Sequence, residues 1–228
     1  MLRVFPVVMI VIAAVGAITP QDSSYRSLVL SAADSALVEF ESGRFWHAAR
    51  MLREEGAATG KPEDILLLAR AEAGWENWSA VAELLDGAEW LPEESGAIGL
   101  YLLGRAWEAR GQWAQAAESY GRYVDLSSSE TTRHHASIVR WTRSLWNSGE
   151  REASFISLRQ LEPHLGTQSW TALEIALGEA QDGNASSVED LLSIIEQPSA
   201  RLSSWRLLPD ALFEAGDLIG ATEAFREA

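Results

Sequence analysis

The chain contains no cysteine. Disulfides, thiolate metal sites, thiol nucleophiles and a lipid-modified cysteine are therefore excluded. Lysine is nearly absent as well: Lys61 stands alone beside 17 arginines, a bias that, with the abundant alanine, suits a GC-rich bacterial genome. Basic residues number 18 against 33 acidic ones, for a formal net charge of -15. Such a balance repels nucleic acid and anionic membrane surfaces, so neither is an expected partner. The four histidines are scattered: His134 and His135 are adjacent and point to different helix faces, and His47 and His164 lie far from them. No pair has the i, i+4 spacing that sets two ligands on one helix face, so no metal is expected. There is no glycine-rich phosphate loop and no nucleophile elbow. The expectation is a chain without a cofactor and without a catalytic constellation of its own.

Long apolar runs are also missing, with one exception. Val4 to Ile18 is uncharged and apolar, follows Arg3, and gives way abruptly to Thr19-Pro20-Gln21-Asp22. Its 15 residues fall short of the roughly 20 needed to span a bilayer. The pattern is that of a secretory signal peptide, with Val15-Gly16-Ala17 preceding a cut after Ala17. The alternative is an uncleaved anchor. Both readings make residues 1–20 a separate segment, the membrane's one point of attachment if it stays. Both export residues 21–228 to the periplasm or cell envelope.

The remainder is a repeat. A turn residue, usually glycine, is followed five positions later by a small residue that opens a helical stripe. The pairs are Gly43 and Ala48, Glu76 and Val81, Gly111 and Ala116, Gly149 and Ser154, Gly183 and Val188, and Gly216 and Ala221. The small residues are separated by 33, 35, 38, 34 and 33 positions. Around each, apolar residues recur at three- and four-residue spacing, the signature of amphipathic helices. Two helices per unit cannot bury an apolar face alone, so neighbours must stack.

This period and pattern resemble the tetratricopeptide repeat (TPR). In the third unit Leu100, Leu103, Gly104 and Trp107 match its first helix, and Ala116 and Tyr120 its second. Trp205, Leu208, Leu212, Ala221 and Phe225 match in the sixth unit. Ile65, Leu68, Ala69, Val81, Leu85 and Pro92 match in the second, and Ala172, Ile175, Ala176, Val188, Leu192 and Pro198 in the fifth. The first unit (Ala36, Ala48, Leu52) and the fourth (Trp141, Leu145, Ser154, Leu158, Pro163) match less fully. The resemblance implies an all-α, right-handed superhelical array of about six helix-turn-helix units, the last incomplete. The units centre on 34–60, 63–92, 98–127, 134–163, 170–198 and 203–228. Of the ten tryptophans, Trp107, Trp141 and Trp205 fall on core positions, and Trp78 and Trp113 just before second helices.

Three departures carry expectations of their own. Pro209 stands where the last first helix wants a small residue, and should kink or restart it. The polar stretch from Leu126 to Thr132 accompanies the longest interval and reads as a loop or hinge. The chain stops at Ala228 with no polar capping helix, which suggests a longer natural protein.

Glu94-Ser95-Gly96-Ala97-Ile98-Gly99-Leu100 resembles pieces of the lytic transglycosylase catalytic motif, but lacks its spacer and its Met-Gln. Glu93, Glu94 and Ser95 are better explained as caps of the following helix. Soluble lytic transglycosylases also resemble this chain in pairing a signal peptide with a superhelical N-terminal region. That resemblance implies a second reading: the non-catalytic arm of a peptidoglycan-cleaving enzyme.

For the first reading, a scaffold that grips a protein or peptide, the candidate site is a row of arginines. Arg70, Arg105 and Arg143 each lie 11 residues before the small residue of their second helix. In TPR arrays first helices line the concave groove, which puts this row in it. Guanidinium groups bind carboxylates bidentately, so the expected ligand is acidic. Tyr101, before Arg105, and Trp146, after Arg143, add stacking surface.

Overall fold

The computed structural model describes residues 32–129, 131–161 and 166–228. The expected signal segment, Glu130, Pro163 and His164 lie outside those residues. Among the described residues all regular structure is helical. Five consecutive pairs run α1 (Ala32–Glu41) with α2 (Phe45–Glu54), α3 (Pro62–Gly74) with α4 (Trp78–Leu85), and α5 (Ile98–Ala109) with α6 (Trp113–Leu126). They continue with α7 (Thr132–Asn147) and α8 (Arg151–Leu158), then α9 (Thr167–Gln181) and α10 (Ala185–Ile194). A short α11 (Pro198–Ser203) precedes the sixth pair, α12 (Leu207–Glu214) and α13 (Leu218–Glu227). No described helix is long and apolar enough to cross a membrane.

One turn, used six times, makes the pairs. The residues Gly43, Glu76, Gly111, Gly149, Gly183 and Gly216 all adopt positive φ, between 67° and 91°. In the third pair the N–H of Gly111 donates to Glu108 O at 3.0 Å, and that of Gln112 to Trp107 O at 2.9 Å. These are the 5→2 and 6→1 bonds of a Schellman motif, and the same two bonds recur at the other five turns. Gln112 then opens the next helix, because its own carbonyl accepts from Ala116 N at 3.0 Å. Five of the six positions are glycine because glycine reaches the left-handed region without a Cβ penalty; Glu76 does so at φ 67°.

The small residues of the sequence pattern sit where the helices cross. Ala48, Val81, Ala116, Ser154, Val188 and Ala221 are all buried; they are called crossing residues below. Opposite them, Ala36, Ala69, Thr142 and Ala176 are fully buried, and at Gly104 a Cβ would come within 2.7 Å of the Tyr120 ring. Each core cluster draws on more than one pair. Ala48 and Leu52 share theirs with Leu68 and Ala71 of α3, and Val124 of α6 shares one with Leu158, Ala172 and Ile175. No pair has a core of its own, which is why the array must stack.

The departures resolve as follows. Pro209 occupies the first turn of α12, where a missing N–H removes no helical bond, and the helix does restart there. Trp205 corrects the sequence reading: it lies in the turn at 204–206 between α11 and α12 and is 50% exposed, because the restart takes it off the helix. The segment after Leu126 is a short connection, and much of the long interval comes instead from α6 and α7, which run for 14 and 16 residues. The capping expectation for α5 also fails. Its N-cap is Ala97, with no side-chain cap bond, and the Ser95 hydroxyl donates to Glu94 instead. Ser95, Gly96 and Ala97 are three successive left-handed residues, and this reversal turns Ser95 away from the helix's free N–H groups.

Candidate binding face of the first helices

The three arginines occupy the same register of α3, α5 and α7, yet each has a different partner. The Arg70 guanidinium lies 4.9 Å from the ring centroid of Phe40 on α1, and makes no ion pair among the described residues. Arg105 lies 4.7 Å over the Trp78 ring of α4, with Glu108 at 3.8 Å. Arg143 donates from Nε and Nη2 to one Glu174 oxygen of α9, at 2.9 and 2.5 Å. Glu174 is about half exposed, so this pair stands in water and contributes little to stability. A ligand carboxylate can replace it at small cost.

Glu108 gathers several partners on this face. Its carboxylate accepts Tyr120 Oη at 2.5 Å and Arg140 Nη1 at 2.8 and 2.7 Å. Burial, with Glu108 adding to it, drives the Tyr120 phenol far above its ordinary value, so it remains a donor. Burial works against the Arg140 charge, but Glu108 and the neighbouring Tyr120 and Tyr101 outweigh it, and the pKa is raised. Tyr101 packs beside Tyr120 and Tyr123 at centroid distances of 6.0 and 5.7 Å. Arg140 lies three residues before Arg143 and was not singled out in the sequence. The clue was Tyr120, whose hydroxyl needs a partner once it is buried.

Trp146 belongs to a seam between pairs. Its Nε1 donates to Glu179 at 2.7 Å, and Arg151 grips the same carboxylate. The indole lies on Gly178, where a Cβ would come within 2.3 Å of it. Glu179 is fully buried and also accepts Asn184 Nδ2 at 2.9 Å. Arg151 reaches Asp182 as well, at 2.9 Å; this bond, followed by Glu179, raises its pKa. The second pair repeats the device. Buried Glu72 accepts Asn77 Nδ2 at 2.7 Å and lies 2.7 Å from Arg53 Nη2. In the first pair Glu39 binds Arg44. The spacing was visible in the sequence: a glutamate stands five residues before its partner, across the turn, at 39/44, 72/77 and 179/184.

His134 is spent locally. Its Nδ1 lies 2.8 Å from Ser127 Oγ, and its backbone N–H donates to Thr131, the N-cap of α7. Among the described residues no group of three His, Asp or Glu could hold a metal ion. A cavity of about 290 Å³ lies between Asp86, Glu89, Leu91, Leu103, Trp107 and Arg122. Arg70, Arg105 and Arg143 are not among its lining residues.

The fold class follows from the helix pairs: an all-helical, TPR-like array. Two solved structures of a Podosopora anserina putative kinesin light chain with nearly identical TPR-like repeats are similar to it. Each is 20% identical, and each match covers 92% of this chain and 95% of the other, with TM-scores of 0.42 and 0.41. No family model matches the chain. No curated protein does either.

Proposed function

We propose that the chain is an exported scaffold that binds a protein or peptide partner in the cell envelope through the first-helix face of α3, α5 and α7. The observation that carries this reading is the state of the three arginines. Among the described residues Arg70 has no carboxylate, Arg105 has one only at 3.8 Å, and Arg143 has one that is half exposed. Three guanidiniums at equal register therefore offer sites for an acidic ligand in an otherwise acidic protein. First helices of stacked pairs lie roughly 8–10 Å apart, so an extended peptide, at about 3.3 Å per residue, meets one arginine about every third residue. Cell-wall machinery is one source of such a partner. The apolar run before residue 20 is the motive for export.

The test is peptide selection on the immobilised protein from a random displayed library. Selected sequences should carry Asp or Glu at about three-residue spacing and bind less tightly as salt rises. Replacing Arg70, Arg105 and Arg143 together by glutamine should abolish that binding with melting unchanged. Binding that survives the triple change refutes the site. Export is read separately by N-terminal sequencing of secreted material: a start near Ile18 supports cleavage, and intact Met1 in a membrane fraction shows an anchor.

A further inference from the structure

The cavity between the second and third pairs is walled on one side by the connection that leaves α4 at Leu85 and turns at Gly87, whose φ is 71°. Leu91 of that connection, with Leu103 and Trp107 of α5, supplies its apolar surface. Three carboxylates, Asp86, Glu89 and Glu118, and one guanidinium, Arg122, also line it. None of these four side chains forms a hydrogen bond or an ion pair among the described residues. Glu118 and Arg122 stand one turn apart on α6 and still do not pair. Three negative charges therefore face one positive charge across an apolar floor.

A hydroxyl points to a ligand independently of those charges. Ser119 of α6 lines the same cavity and is only 6% exposed. Other hydroxyls on helices of this chain turn back to the carbonyl four residues earlier, as Ser137 does to Arg133 O at 2.7 Å and Thr171 to Thr167 O at 2.9 Å. Ser119 makes no such bond to Gln115, and its hydroxyl has no hydrogen-bond partner among the described residues. A hydroxyl so deeply buried is costly to leave unbonded, and an occupant of the cavity removes that cost.

We propose that the cavity receives the side chain of a lysine from a basic partner protein. The methylenes lie against Leu91, Leu103 and Trp107, and the ammonium faces the carboxylates and donates to Ser119 Oγ. Lysine carries three rotatable donors on a flexible apolar stem, which suits acceptors grouped around an apolar floor. The volume of about 290 Å³ lies just under the range of about 300–1,000 Å³ for drug-sized ligands, so it suits one side chain. The net charge of -15 draws basic proteins toward the chain. Its own single lysine, Lys61, does not line the cavity. The cavity shares no residue with the arginine row, so either reading can fail without the other.

The probe is Nα-acetyl-lysine methylamide, titrated into the full chain while the indole N–H signal of Trp107 is followed in ¹⁵N-correlated NMR spectra; Trp107→Phe identifies the signal. A saturable shift with a midpoint of about 1–10 mM is expected. Nα-acetyl-norleucine methylamide, which keeps the stem and lacks the ammonium, should bind at least about tenfold more weakly. Asp86→Asn combined with Glu118→Gln should weaken the lysine probe at least about tenfold, and Arg122→Gln should strengthen it about threefold. Glu152→Gln, an exposed acid outside the cavity, should change nothing. Circular dichroism melts of these variants should match the parent, since the changed side chains are exposed. No shift, or equal shifts with the two probes, overturns the inference. So does an effect of Glu152→Gln as large as that of the cavity variants, which would reduce binding to the general pull of an acidic surface. Tighter binding of free 1,4-diaminobutane than of the lysine probe would assign the cavity to small amines and overturn the protein partner.

Discussion

The third and fourth pairs build one crossing from two chemistries. α5 and α6 meet on Gly104, Ala106 and Ala116; α7 and α8 meet on Thr142, Ser144 and Ser154 at the same positions. The described side chains at both crossings are buried. In the fourth pair two of the hydroxyls find partners within the pair: Thr142 Oγ1 lies 2.7 Å from Ser157 Oγ, and Ser154 Oγ donates to the backbone carbonyl of Thr142 at 3.1 Å. Ser144 Oγ has no hydrogen-bond partner among the described residues. The crossing thus demands small volume and admits hydroxyls, of which Thr142 and Ser154 find partners and Ser144 does not.

The largest expected effect tests the volume half of that comparison. Ala116→Trp and Ser154→Trp should each cost about 3 kcal/mol or more in urea unfolding, because both overpack a close crossing. A much smaller loss at Ser154 would mean that the polar crossing is loosely packed, and the equivalence would break. The polarity half is tested by exchange at one register. Ser144→Ala should gain about 1–2 kcal/mol by removing an unpartnered buried hydroxyl, and Ala106→Ser should lose a similar amount. Equal behaviour of the two would show that Ser144 has an acceptor after all.

A smaller effect extends the comparison to the turns. Glu76→Gly should stabilise the second pair by about 1 kcal/mol, bringing it to the chemistry of the other five. No gain in the melt would mean that the Glu76 side chain compensates for its backbone. The smallest effect concerns pH. Burial, with the His135 charge second, holds the His134 pKa below its ordinary value. The unfolded chain then binds more protons than the folded one as pH falls through about 6.5. Stability should fall over that window and level off below the folded value. Hydrogen exchange should locate the loss at the start of α7 and not in the third pair, which has no histidine. His134→Gln should flatten it.

How much of this was legible depends on range along the chain. The turn residues and crossing residues repeat within a few positions of each other, so periodicity alone located them. The same periodicity puts Arg70, Arg105 and Arg143 one on each of α3, α5 and α7. The partners of this row were not legible. Arg140 and Glu108 are 32 residues apart, and Arg143 and Glu174 are 31 apart; nothing local distinguishes these pairings from others across a stacked array. Trp205 misled because a proline four residues later moves it out of the helix whose pattern it continues. Ser95 misled because its left-handed backbone overrides the capping preference of its side chain.

Each turn between paired helices spends every residue twice. Gln112 closes the Schellman motif of α5 with its N–H and opens α6 with its carbonyl. No residue is spare, so an insertion or deletion there would rotate the second helix by about 100° and carry Ala116 off the crossing. Between pairs there is slack, as at residues 86–97. The intervals of 33 to 38 residues vary with such connections and with helix length, as in the 14 and 16 residues of α6 and α7. A tag or reporter loop belongs in those stretches and never beside the turn glycines.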